Sequence, residues 1–390
     1  MRNWLLPEYI EDVLPAEAAR MEQVRRRLLD LFRVHGYQLV IPPLLEYLES
    51  LTTGAGHDLD LATFKVVDLL SGRLMGIRAD ITPQAARIDA HLLNWQGVTR
   101  LCYAGSVLRT RPDGLAQTRQ PLQIGAELFG HAGIESDIEI QQLLVEALQA
   151  VGVQALQLDF SHVGIFRSLV KRSGIATALE QDLLMALQSK GKAELNALTA
   201  GLDAEIRQAL LALTELNGGA EVLLAAEKSL PQYAEIKQAL QDSRRISQQL
   251  SRLDVEISFD LAELRGYHYH SGLVFAAYAQ GHSGPLAQGG RYDEVGAIFG
   301  RARPATGFSL DLRGLTTALP PPPSQAAILA PFREDAGLQE AIAALRAAGE
   351  IVVVELPGHE AYRNELGCDR ALTNKQGTWK VVPVAEFESR

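Results

Sequence analysis

The chain has 390 residues, 47% hydrophobic and 22% charged, with 47 acidic side chains against 37 basic ones and a formal net charge of −10. That length suits two or three structural units with a sizeable core. The composition excludes a disordered chain, and no apolar run approaches the ~18 residues of a membrane span. An acidic excess argues against a nucleic-acid binder, whose affinity comes largely from neutralised phosphates. The N-terminus, MRNWLLPEYIEDVLP, meets Glu8, Glu11 and Asp12 before an apolar core can form, which argues against a signal peptide and for the cytoplasm. Cys102 and Cys368 are too few for a disulfide framework or a cysteine metal site. His268 and His270 lie close together but have no Glu or Cys at ligand spacing, so no metal or cofactor is expected.

Between Pro15 and His35 the apolar residues Ala18, Met21, Val24, Leu28, Leu29 and Phe32 recur at helical spacing, and Gly36 marks the stop. YQLVIPPLLEYLE reads as a strand closed by Pro42 and Pro43. FKVVDLLSGRLMGIRAD reads as a hairpin turning at Ser71-Gly72, and TRLCYAGSVLR and QPLQIGAELFG as two further strands. A helix is expected near Ser136 to Ala150 and a strand at LQLDF. Residues 163–250, rich in Ala, Leu, Gln and Glu, are predicted to be almost wholly helical. Strands return at VEISFDL and YHYHSGLVFAAYA. ALPPPPSQ, with four consecutive prolines, is an extended linker. Beyond it AAILAPF, EDAGLQEAIAALRAAG and EIVVVEL form a small β-α-β pattern.

Asp80, Gln123 and Glu127 lie on or beside strands, and Gln123 and Glu127, four apart, face the same side because strand side chains alternate. Carboxylates on a core-facing strand need cationic partners. An amino acid meets that need: acceptors hold its ammonium while Arg109 or Arg265 takes its carboxylate. Taken singly, each residue also fits a satisfied internal network or a solvated sheet face.

Several of these segments resemble the signature motifs of class II aminoacyl-tRNA synthetases, in particular histidyl-tRNA synthetases, over residues 1–320. GYQLVIPPLLE is similar to the first motif, with its proline at Pro43, and RLCYAGSVLRTRPDGLAQTRQPLQIGAELFG to the second. LRGYHYHSGLVF and GGRYD are similar to two stretches of the histidine enzyme. The resemblance implies an α+β fold, an antiparallel sheet flanked by helices over 1–162 and 251–319. A helical insertion at 163–250 and a small C-terminal α/β remnant at 324–390 complete the expected organisation. It further implies that Asp80, Thr82 and Gln123 hold the amino group of histidine, with Glu127, Tyr269 and His270 at the imidazole end. His270 stands where that family usually has tyrosine.

The nucleotide motifs depart from the pattern. The Arg-x-Glu of the second motif reads Arg109-Thr110-Arg111, and an arginine has no acceptor for adenine. The stacking phenylalanine falls at Pro121, and Arg313-Gly314 stands in place of the Glu-Arg of the third motif. Loss of an aromatic stack costs about 1–3 kcal/mol and loss of a cation over the ring about 0.5–2 kcal/mol. A histidine pocket without a nucleotide clamp resembles the family of ATP phosphoribosyltransferase regulatory subunits. That resemblance implies a non-catalytic chain that dimerises through its first-motif helix and strand. It implies assembly with a short-form catalytic subunit as a hetero-octamer and histidine as feedback effector, with no tRNA and no membrane. A working synthetase, a paralogue that adenylates another acceptor and a scaffold without ligand stand as alternatives. ATP binding separates the first two and histidine calorimetry the third. Histidine has two places open to it, the synthetase-like pocket or a contact with the partner.

Overall fold

Helix α1, Pro15–Val34, begins at a proline, whose missing N–H has no partner to lose at a helix start. It buries Met21, Val24, Leu28 and Phe32 along one stripe, three or four residues apart. Phe32 is fully buried, its ring edge-on to Phe308 at 5.9 Å between centroids. This contact seats the helix on the central sheet. The structure, a computed structural model, describes residues 4–52, 56–112, 117–320 and 326–385. They fall into two compact units, Met1–Pro320 and Pro321–Arg390.

In the first unit, β1 (Gln38–Leu39), β2 (Leu45–Tyr47), α2 (Leu48–Thr52), α3 (Gly56–Ala62) and the hairpin β3 (Phe64–Val67) and β4 (Leu74–Ile77) lead to α4 (Thr82–Arg87). Then come β5 (Thr99–Ser106), β6 (Leu122–Phe129), α5 (Ile134–Ala150) and β7 (Leu156–His162). The next block holds α6 (Val163–Ser173), α7 (Thr177–Gln188), α8 (Lys192–Leu198), α9 (Ala204–Leu213), β8 (Asn217–Gly218), α10 (Glu221–Ser229) and α11 (Ala234–Leu250). β9 (Glu256–Asp260), β10 (Leu273–Ala279), β11 (Ala287–Arg291), β12 (Ala305–Asp311) and α12 (Leu312–Ala318) close the unit. Nine strands form one sheet in the order β1-β5-β6-β12-β11-β10-β7-β9-β8, antiparallel except for the β1–β5 and β7–β9 pairs.

One face of this sheet, with Ile124, Ala126, Phe160, Phe275 and Phe308, is covered by helices. Phe166, Leu187, Leu210 and Ile246 of the 163–250 block join the same apolar cluster. On the other face Glu127 stands in a cross-strand row with Gly307, Gly290, Val274 and Ser161. The neighbouring row holds Gly125, Ser309, Gln288, Ala276 and Asp159.

The structure departs from the sequence reading in three places. Pro42 and Pro43 follow the end of β1, as read, because they supply no N–H to a ladder, but the residues beyond them form an unexpected second strand, β2, in a separate three-stranded sheet. The strand read from Tyr267 begins only at Leu273. The N–H groups of Tyr269 and His270 both donate to the Gly266 carbonyl, at 2.8 and 2.9 Å, in a turn that Gly266 permits at φ +63°. In the second unit β13 (Ala327–Pro331), α13 (Ala336–Ala347) and β14 (Val352–Glu355) form the expected β-α-β, but a hairpin follows, β15 (Cys368–Lys375) and β16 (Thr378–Pro383). The four strands run β14-β13-β15-β16 over a core of Ile328, Leu338, Ile342, Val352 and Leu372. The linker residues from Pro321 to Gln325 lie outside the described residues. Among the described residues no helix is long and apolar enough to cross a membrane.

Phe32→Ala is expected to lower the unfolding free energy by about 3–5 kcal/mol, as for other fully buried aromatic truncations. Urea denaturation followed by circular dichroism measures this, and a loss below ~1 kcal/mol would show that α1 is anchored elsewhere.

Candidate functional site

Strand β6 carries Gln123 and Glu127 on the face away from the helical layer, both buried, and α4 begins beside them. The Gln123 amide nitrogen donates to Asp80 Oδ1 at 2.7 Å, and its oxygen accepts from the Ile81 N–H at 2.9 Å. The Thr82 N–H donates to the same Asp80 oxygen at 3.0 Å. The Asp80–Thr82 segment is thereby latched to the sheet, and a carboxylate, a hydroxyl and an amide converge.

Glu127 is 1% exposed. Thr82 Oγ1 and the Tyr103 hydroxyl donate to its Oε1 at 3.0 and 2.9 Å, and the Tyr292 hydroxyl donates to Oε2. A Cβ on Gly307, across the ladder, would stand 1.6 Å from Oε2, so only glycine lets the carboxylate lie there. The expectation that cations hold the carboxylates of this face is corrected for Glu127, which hydroxyls hold. Burial pushes its carboxyl up to about 8, against the lowering effect of the bonds from Tyr292, Tyr103 and Thr82.

Tyr269 packs on Tyr292, with ring centroids 5.1 Å apart, and its hydroxyl is buried without a hydrogen-bond partner. Burial raises that phenol, and the charges of Glu127 and Asp80 raise it further. An unmatched buried donor costs about 1–3 kcal/mol, which a ligand acceptor would recover. The cluster therefore offers acceptors at the Asp80 end and both a carboxyl and a free phenol at the Glu127 end.

Arg109 donates from Nε to the Ala79 carbonyl at 3.3 Å, next to Asp80. Arg265 is turned elsewhere, to Glu263 at 3.2 Å and to the Tyr278 hydroxyl. His270 faces the Arg291 carbonyl, its Nδ1 at 3.3 Å, and burial pushes it down to about 4. Both line an adjoining pocket with Asp159 and Ser161. The structure thus gathers Asp80, Thr82, Gln123, Glu127 and Tyr269, sets Arg109 beside them, and places Arg265 and His270 in the next compartment. Sequence reasoning missed Tyr103 and Tyr292. Their signals were the alternation along β5 and the tyrosine of GGRYD.

At the nucleotide end the side chain of Arg313 is buried and paired with Glu11 at 2.6 Å and Glu17 at 3.3 Å. The Asp311 carboxylate accepts the N–H groups of Leu122, Arg313 and Gly314 at 3.1, 3.1 and 3.2 Å. Among the described residues no group of three or more His, Cys, Asp or Glu side chains is placed to hold a metal ion.

A carboxyl that titrates near 4.5 when unfolded and near 8 when folded stabilises the fold fully below about 4.5, and that stabilisation is lost as pH rises through about 8. Glu127→Gln, which keeps the shape and an acceptor oxygen, should remove this slope. Urea midpoints of the wild type are expected to fall relative to the variant between about pH 5 and 8, and parallel curves would refute the raised titration.

Two family descriptions match the chain, Histidyl-tRNA synthetase over residues 9–315 and ATP phosphoribosyltransferase subunit HisZ C-terminal domain over residues 325–382. A Methylobacillus flagellatus protein named ATP phosphoribosyltransferase regulatory subunit is 66% identical over 387 residues, covering 99% of this chain and 100% of the relative. An Azoarcus protein of the same name is 58% identical over 382 residues, covering 98% and 99%. A solved structure from Bacillus halodurans, described as an ATP phosphoribosyltransferase regulatory subunit/histidyl-tRNA synthetase, has a TM-score of 0.84 at 26% identity over 95% of this chain and 98% of that one. Histidyl-tRNA synthetase from a Nostoc species shares the fold, with a TM-score of 0.78 at 18% identity over 100% and 99% of the two chains. With a histidyl-tRNA synthetase architecture in residues 9–315, a HisZ-type C-terminal unit and full-length relatives of one name, the chain belongs to the family of ATP phosphoribosyltransferase regulatory subunits.

Proposed function

We propose that this chain is the non-catalytic, histidine-sensing partner of a short-form ATP phosphoribosyltransferase catalytic subunit. On this reading it is required for that subunit's activity and for feedback inhibition at the first step of histidine biosynthesis. The observation that carries the reading is the unpartnered Tyr269 hydroxyl beside Glu127, in a site whose nucleotide end is tied up internally. An imidazole has one N–H donor and one ring acceptor. Glu127 and Tyr269 complement that pair. Asp80, Thr82 and Gln123 receive the ammonium, Arg109 takes the carboxylate, and Arg265 and His270 border the site from the next compartment.

No adenylation is assigned to the chain, and no tRNA. Arg111 offers adenine no acceptor, Pro121 no aromatic face and Gly314 no cation, while Arg313 is held by Glu11 and Glu17. For assembly, the reading takes a dimer of this chain through the first-motif helix and strand, extended to a cytoplasmic hetero-octamer with the catalytic subunit. Large apolar side chains left exposed in and beyond that motif support it: Ile41 at 83%, and Leu69 and Leu70 at the hairpin tip at 98% and 96%.

Free histidine at a hundredfold excess over Kd should stabilise the folded chain by about 2.7 kcal/mol, read as a rise in Tm. Asp80→Ala and Glu127→Ala should abolish the rise, and folded variants that still respond would place the sensor elsewhere. Tyr269→Phe removes only the unpartnered hydroxyl. It should leave stability unchanged or higher and weaken histidine inhibition of phosphoribosyl-ATP formation about 2- to 10-fold, the worth of one ordinary hydrogen bond. The assay mixes each chain with the same catalytic subunit and titrates histidine. Unchanged inhibition with Tyr269→Phe would remove that phenol from the effector site.

A further inference from the structure

The sheet face that carries Glu127 continues into a second compartment of about 160 Å3. Val274 and Ala276 of β10 line it, paired across the ladder with Ser161 and Asp159 of β7, and Arg265 and His270 close it from the preceding turn. Strands lie about 4.8 Å apart, and β12 and β11 stand between Glu127 on β6 and Val274 on β10. The two positions are therefore about 14 Å apart, farther than one amino acid reaches. His270 packs on Gly290 of β11, a ring atom 2.8 Å from where a Cβ would stand. Its imidazole divides the compartments.

The chemistry of this second space is its own. Ser161 is 3% exposed, and its hydroxyl has no hydrogen-bond partner. Asp159 is steadied by the Ser258 hydroxyl, which donates to Oδ1 at 2.9 Å and accepts from the Gln157 amide at 2.9 Å. Glu263 answers Arg265, and Lys190 is engaged by Asp260 at 2.7 Å, which leaves Asp159 as the unbalanced charge. Asp159 and Tyr278 also line an open groove on the far side, with Glu256 and Asp260 among its walls, so the approach is acidic and concentrates cations. That volume exceeds the about 10–15 Å3 that one water needs by an order of magnitude.

We propose that this compartment is a second binding site, for a small organic amine whose ammonium meets Asp159 and the Ser161 hydroxyl and whose apolar body lies against Val274 and Ala276. The site is independent of the histidine reading.

The test is calorimetry on the full chain with isobutylammonium, isobutanol and isobutyrate, which share a branched skeleton and differ in charge. Saturable binding of isobutylammonium alone is expected. Asp159→Asn, which keeps an acceptor for Ser258, should weaken it about 10- to 100-fold, the worth of a charge-assisted hydrogen bond. Ser161→Val, which fills the space, should abolish it, and histidine affinity should stay within about twofold in both variants. A Glu127→Ala chain should still bind isobutylammonium, whether or not histidine binds, so the two readings fail separately. Equal binding of isobutanol would overturn the proposal, and so would unchanged amine affinity in a folded Asp159→Asn chain. Loss of histidine binding together with amine binding in Asp159→Asn would show one continuous site and overturn it as well.

Discussion

Glu127 is buried on a sheet strand with hydroxyls rather than a cation around it, and the elements nearby are arranged to make that burial tolerable. A carboxyl taken from water must recover its hydrogen bonds from the protein. The three donors come from different places: Thr82 from the start of α4, Tyr103 from β5 and Tyr292 from the residue after β11. Thr82 is itself placed by the Asp80–Gln123 latch. Gly307 vacates the space the carboxylate fills. Removing any one part strands the others, so the cluster ties α4 and three strands into a single network.

Burial raises the Glu127 carboxyl to about 8, because three hydroxyls offset the loss of water less than a guanidinium would. On the proposed reading this is useful. A group that exchanges its proton near neutrality can pair with either ring nitrogen of an imidazole, whereas a carboxylate clamped by arginine would already be satisfied. The nucleotide end shows the contrary arrangement. Arg313 is paired with Glu11 and Glu17, so the segment before α1, the first turn of α1 and the start of α12 are held together by charge.

Much of this was legible in the sequence, for identifiable reasons. Gln123 and Glu127 had to share a face because strand side chains alternate, whereas Asp80 and Thr82 were joined to them by resemblance, the helix that starts at Thr82 being unread in the sequence. Tyr103 and Tyr292 were missed despite the alternation along β5 and the tyrosine of GGRYD, because a tyrosine that donates to a buried acid looks in sequence like any half-apolar residue. Arg265 was expected at the pocket as a cation for a carboxylate and His270 by resemblance, and the turn at Gly266 carries them into the adjoining space. In the C-terminal unit the β15–β16 hairpin turns on Gln376-Gly377, which lacks the Asn-Gly or Asp-Gly signal that marks such turns.

If the effector sits on this chain and the reaction on another, occupancy must be reported across an interface, and histidine inhibits only if it binds the less active arrangement more tightly. The contacts supply a route from the site to the surface. Asp80 and Thr82 stand at the entry to α4, and α4 carries Gln84 and Arg87, both bonded to Glu46 of β2 at 2.7 Å. β2 pairs with β4, and β4 with β3, in the three-stranded sheet whose hairpin ends in Leu69 and Leu70. The hairpin turn is stiff, since the Asp68 carboxylate accepts the N–H groups of both Leu70 and Ser71 at 3.1 Å. A shift of α4 on binding would therefore reach the exposed leucines through ion-paired and ladder contacts rather than through a flexible loop. Contact alone is not coupling: the route transmits only if α4 has two arrangements that ligand and partner favour differently, and the strength of feedback is the free energy by which they differ.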